Sequence, residues 1–164
     1  MNDSTADVYS LADLIARGGV HRNLRGANPR ELLAGLISLL PPLPSIAPKD
    51  LLKEIMAREA LVSTGIGHGI ALPHPRNPPL GAAGEPLVAL AFPKQALDWN
   101  TPDGSKVSAV FLILSSSAKQ HLGTLAKLTF LCRQGNFLSL IKSNASGEAI
   151  ITAVREAEAA WAGL

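Results

Sequence analysis

Four histidines and one cysteine stand out in this 164-residue chain as side chains able to act as nucleophiles or metal ligands: His21, His68, His74, His121 and Cys132. Two of them fall in one stretch, Arg58 to Arg76, which reads REALVSTGIGHGIALPHPR. Within it Gly65, Gly67 and Gly69 alternate, a spacing that lets the backbone turn tightly and leaves its N–H groups accessible. The stretch is not a P-loop, since no Gly-Lys-Ser/Thr follows, nor a dinucleotide fingerprint, since the spacing is GxGxG and no helical pattern follows directly. It leads instead into a short apolar strand, Ile70-Ala71-Leu72, then Pro73 and His74. A strand end followed by proline is a way to aim an imidazole out of a rigid scaffold. On these residues alone, His74 is either a working group of this kind or a packed or simply exposed histidine.

The elements that must position it follow from periodicity and punctuation. A short amphipathic piece from Ser10 to Ala16 leads through Gly18-Gly19 into a strand over Val20 to Leu24. Asn28-Pro29 starts a helix with a capping side chain and proline at its first position, running to about Leu40 before Pro41, Pro42 and Pro44. Pro48 opens the next helix, to about Ala60, with Leu51, Leu52, Ile55 and Met56 at helical spacing. Leu87–Phe92 and Ser108–Leu114 are compact apolar runs typical of buried strands. Between them, Leu97–Asn100 reads as a short strand and Pro102-Asp103-Gly104 as a turn. Ser115, Ser116 and Ser117 offer caps for a helix over Ala118–Arg133, Gly135-Asn136 punctuate it, and a short helix follows from Phe137 to Lys142. The last helix puts Ile150, Val154, Ala157 and Trp161 on one face. This order predicts an α/β (α+β) single domain over residues 9–164, a central mixed β-sheet flanked by helices, preceded by a loose tail over residues 1–8.

At this point the residues are recognisable. STGIGHGIALPH closely resembles the phosphohistidine segment of the fructose/mannitol-type enzyme IIA domains of the bacterial phosphotransferase system, and looks most like their nitrogen-regulatory branch. Arg58-Glu59 before the loop, the Asp103-Gly104 turn before the strand Val107 to Leu114, and His121 early in the following helix match the same pattern. The resemblance implies that His74 is phosphorylated by the phosphocarrier HPr or its nitrogen-branch equivalent, that His121 is the second active-site histidine, and that Arg58 is a positive residue close by. It implies an enzyme IIB domain, or a regulated transporter or kinase, as the downstream partner. Two residues depart from the pattern: Pro75 stands where a small residue usually follows the active histidine, and His68 where a loop Asn is common.

The residue types suit that chemistry. A neutral imidazole, with an unperturbed pKa of about 6.5, has a lone pair that attacks a phosphoryl group without a separate strong base. Transfer then needs positioning and donors for the phosphoryl oxygens. The candidates are the N–H groups of Gly65, Gly67, His68 and Gly69, the hydroxyls of Ser63 and Thr64, and His121, with Arg58 giving fixed charge or holding a carboxylate. A carrier must not activate water, and no acidic residue lies between Ser63 and Arg76. No cofactor is called for, and no metal: His68-x5-His74 matches no common zinc spacing, and Cys132 stands roughly 16 Å along one helix from His121 at 1.5 Å per residue. His21 and Cys132 read as structural.

Composition bounds the rest. The net charge of +2 comes with scattered basic residues, and aromatics make up only 4%, which disfavours a nucleic-acid surface. No apolar run approaches the roughly 20 residues that span a bilayer. The polar start and single cysteine lead us to expect a cytoplasmic protein. A rival expectation keeps the fold without the chemistry: a regulatory module that docks to a transporter or kinase whatever its phosphorylation.

Overall fold

The computed structural model describes residues 9–81 and 84–163, so the tail expected over residues 1–8 lies outside the described residues. Among them the strands are β1 (Val20–Leu24), β2 (Gly65–Gly67), β3 (Ile70–Ala71), β4 (Leu87–Pro93) and β5 (Ala109–Leu114). The helices are α1 (Leu11–Gly18), α2 (Pro29–Ser38), α3 (Pro48–Leu61), α4 (Ala118–Leu131), α5 (Gly135–Lys142) and α6 (Gly147–Ala162). The strands form one mixed sheet in the order β1-β4-β5-β3-β2. β1 runs parallel to β4 and β3 parallel to β5, while β4–β5 and β2–β3 are antiparallel.

Strand alternation divides the core in two. Val88, Leu90, Phe111 and Ile113 point to one face, where they pack with α1, α4, α5 and α6 through residues such as Leu11, Leu128, Ile141 and Ile150. Leu87, Ala89, Val110, Leu112 and Leu114 point to the other, against Leu32, Leu33 and Leu36 of α2 and Leu51 and Ile55 of α3. Because both faces are covered, β5 is buried at every position, which is why its sequence reads as an unbroken apolar run. Caps fix the helix starts: Ser10, Asn28, Ser117 and Ser146 each accept the N–H of the residue three further on.

Three local expectations change. The Leu97–Asn100 strand reduces to a single bridge, Leu97 to Val107, because the chain turns away at Asn100, whose φ is +54°. Gly135 and Asn136 do not separate two helices; they open α5, with extended Gln134 before them, and α4 stops at Leu131. The glycine-rich stretch is not an open loop: Gly65–Gly67 pairs with Ile70–Ala71 as a hairpin at the sheet edge.

Candidate functional site

That hairpin carries His74. Gly65 pairs with Ala71, and the Leu72 N–H donates to the Thr64 carbonyl at 3.0 Å. Continued, this antiparallel register brings Val62, just past the end of α3, level with His74. On the other side the Ile113 N–H donates to the Pro73 carbonyl at 3.0 Å, tying the segment to β5. His74 therefore sits where β3 and β5 end and α4 begins. Pro73 and Pro75, which flank it, are both buried.

The ring of His74 is held by one bond. Its Nδ1 lies 2.7 Å from the Leu72 carbonyl oxygen, which can only accept, so Nδ1 carries the proton and Nε2 the lone pair. Nε2 has no partner among the described residues. It nevertheless keeps contact with solvent, since among the described residues the only fully buried side-chain nitrogen or oxygen without a partner is Trp99 Nε1. The residue as a whole is 8% exposed. Burial lowers its pKa; the Leu72 carbonyl opposes that, the Arg58 charge adds to it, and the Glu59 charge offsets it.

His121 lies one turn into α4, its ring centroid 4.6 Å from that of His74 and tilted by 50°. Its pKa falls to about 4, first through burial and then through the positive charges of His74 and Arg58. Both rings are thus neutral at physiological pH. His121 lies in the first turn of α4, at the positive end of its helix dipole, where the Gln120 N–H is taken by the Ser117 hydroxyl at 3.1 Å. Arg58 donates from Nη1 to the Val62 carbonyl at 2.7 Å, and its charge reaches both histidines. The structure thus brings together His74, His121 and Arg58.

The remaining sequence candidates lie elsewhere on the hairpin. The Ser63 hydroxyl donates to the Trp99 carbonyl at 2.6 Å and accepts the Gly65 N–H at 3.1 Å. The Thr64 hydroxyl donates to Glu59 at 2.7 Å. Both hydroxyl hydrogens are committed inside the scaffold. Gly67, His68 and Gly69 form the hairpin turn, at the opposite end of β3 from His74 and on the order of 15 Å from it at about 3.3 Å per strand residue. There the His68 N–H donates to Asp103 at 3.2 Å, and its side chain is exposed.

Two residues near the histidines are not among the site candidates that the sequence offers. The Glu59 carboxylate takes both the N–H and the hydroxyl of buried Thr64, at 2.7–3.3 Å. An acid in the last turn of a helix is disfavoured by the dipole, and that misplacement was a usable signal. Ser115, expected as a cap, ends β5 with its hydroxyl 3.4 Å from His121 Nδ1; the cap is Ser117. Cys132 is buried at the far end of α4, its thiol pushed up to about 12, and His21 binds the Gly18 carbonyl at 2.9 Å. Among the described residues no three His, Cys, Asp or Glu side chains gather as a metal site.

Residues 13–157 match the family model described as "Phosphoenolpyruvate-dependent sugar phosphotransferase system, EIIA 2". The chain belongs to this EIIA family. A nitrogen regulatory protein of Pseudomonas aeruginosa is 26% identical over 143 residues, covering 85% of this chain and 91% of that protein. The fold matches the crystal structure of the nitrogen regulatory protein IIA-Ntr from Neisseria meningitidis with a TM-score of 0.77 at 24% identity, over 87% of this chain and 97% of that one. It also matches the mannitol IIA of Escherichia coli, solved in complex with phosphorylated enzyme IIB, with a TM-score of 0.66 at 13% identity over 85% and 95% of the two chains. As an EIIA domain the chain is a component of the phosphotransferase system. No described helix is long and apolar enough to cross a membrane.

Proposed function

We propose that this EIIA domain accepts a phosphoryl group on Nε2 of His74 from an HPr-type or nitrogen-branch carrier in the cytoplasm. It then passes the group to an enzyme IIB-like acceptor or reports its phosphorylation state to a regulated transporter or kinase. The observation that carries this reading is the Nδ1–Leu72 hydrogen bond, which leaves the other ring nitrogen unprotonated, unpartnered among the described residues and in contact with solvent. The Nε2 lone pair attacks phosphorus and the N–P bond forms as the bond from phosphorus to the carrier's leaving atom breaks. No proton leaves His74, because the attacking nitrogen bears none. The proton stays on Nδ1, donated to the Leu72 carbonyl, and this bond helps to disperse charge on the phosphorylated ring. His121 and Arg58 supply donors to the phosphoryl oxygens, and the start of α4 adds positive potential. Glu59 has both oxygens engaged by Thr64, so it is not free to activate water against the phosphohistidine.

Leu61 and Val62, exposed at the end of α3, and exposed Leu122, next to His121 in sequence, are the proposed apolar collar on which a carrier protein lands. The same collar supports the rival reading, a module that docks whatever its phosphorylation. Incubation with phosphoenolpyruvate, enzyme I and an HPr-type carrier separates them. We expect an acid-labile mass gain of one phosphoryl group that His74→Ala abolishes. Wild-type protein that stays unlabelled with every endogenous carrier would sink the carrier reading, and labelling of His74→Ala would sink the site.

A further inference from the structure

Ser115 is among the most buried polar residues of the molecule, at 2% exposure. Its backbone carbonyl accepts the Leu80 N–H at 3.3 Å, which fixes the end of β5. Its hydroxyl has one partner among the described residues, Nδ1 of His121 at 3.4 Å. A hydroxyl has one hydrogen to place, and a neutral imidazole has one lone pair and one N–H. Were the His121 proton on Nδ1, the Ser115 oxygen would accept it and the serine's own hydrogen would face no acceptor. With that proton on Nε2, the serine hydrogen is used on Nδ1, and the Nε2–H is the one group left to meet a ligand.

We propose that Ser115 is a positioning residue that holds His121 in its Nε2–H tautomer, making His121 a hydrogen-bond donor to the phosphoryl group on His74. This rests on His74 being the acceptor. Two adjacent histidines then hold opposite tautomers, each imposed by a neighbour. The Leu72 carbonyl keeps the proton of His74 on Nδ1 and frees Nε2 to attack. The Ser115 hydroxyl keeps the proton of His121 on Nε2 and makes it a donor. Neither ring needs to titrate during transfer, and a neutral donor at His121 adds no second cation beside Arg58. The 3.4 Å separation is long for an O–H···N bond; it is expected to tighten when Nε2 binds an anion, since donation from one nitrogen polarises the other.

Long-range proton–nitrogen correlation spectra of the nitrogen-15-labelled protein, assigned with His74→Ala and His121→Ala, test this directly. In the wild type we expect His121 protonated on Nε2 and His74 on Nδ1. In Ser115→Ala His121 should become a mixture of tautomers, and phosphoryl uptake at His74 should slow about five- to tenfold, the loss of roughly one positioning hydrogen bond, with the carrier KM unchanged. Ser115→Thr, which keeps the hydroxyl, should restore both. A wild-type His121 protonated on Nδ1 overturns the proposal, and so does a Ser115→Ala protein with unchanged tautomer and rate. If the wild type takes up no phosphoryl group at all, the reading of His74 fails and the donor role falls with it, while the spectrum still decides the tautomer.

Discussion

His68 and His74 stand six residues apart on one hairpin, and their surroundings are opposite. His74 is recessed at the base, its ring held by Leu72 and faced by His121, with Arg58 and Glu59 charges bearing on it. His68 is exposed at the tip, with φ at +57° and only its backbone N–H tied, to Asp103. The tip itself is well organised: Gly67 and Gly69 take the left-handed angles of a tight turn, and Asp103 gathers Ser105 and His68 around it. The difference teaches that the glycines build the support and that the proposed chemistry belongs at its other end. A residue's closeness in sequence to the phosphohistidine motif is therefore a poor guide to its closeness to the phosphoryl group.

The largest test of this contrast is kinetic. Replacing His121 or Arg58 by alanine should slow phosphoryl uptake at His74 by about 10²- to 10³-fold, the cost of removing one preorganised donor, in single-turnover labelling. His68→Ala should stay within about twofold in the same assay. A His68→Ala loss comparable to that of His121→Ala would return the hairpin tip to the site.

A second, smaller effect separates the two carboxylates. Glu59→Ala leaves the buried N–H and hydroxyl of Thr64 without acceptors and should lower stability by about 1–3 kcal/mol in urea unfolding. Asp103→Ala, at the exposed tip, should cost less. Equal losses would mean that the base of the hairpin is no more dependent on its carboxylate than the tip.

The smallest effect concerns acid. An unfolded histidine binds a proton near 6.5, whereas folded His121 does so only near 4 and His74 below its ordinary value. The unfolded state then binds more protons, so stability should fall as pH drops from about 6.5 toward about 4. His121→Ala should flatten that limb of the Tm profile. A profile of the same steepness in His121→Ala would contradict the burial assigned to that ring.

Much of this molecule was legible before its coordinates, for identifiable reasons. Asn28-Pro29 and Pro48 mark helix starts through local chemistry, and β4 and β5 read as apolar runs because both faces of the sheet are covered. β2 was hidden because Gly65-Ile66-Gly67 has the composition of a loop; it is a strand only because β3 pairs with it. In the proposed site, the glycines and proline make His74 a candidate, and the family resemblance selects it and adds His121. The destinations of the Ser63 and Thr64 hydroxyls could not be read, since Trp99 and Glu59 reach them by tertiary folding. Ser115 looked like a cap because three serines in a row offer three choices, and only packing selects Ser117.

The prolines on either side of His74 have a consequence for the working cycle. A residue preceding proline is confined to extended backbone angles, so both Leu72 and His74 are restricted by Pro73 and Pro75 even in an unfolded chain. The ribbon that carries the acceptor nitrogen thus has few other shapes to visit, and ordering it at each encounter loses little entropy. Under the proposed function, a carrier protein would meet a target already in place, and the departing phosphoryl group would leave behind a backbone with nowhere else to relax.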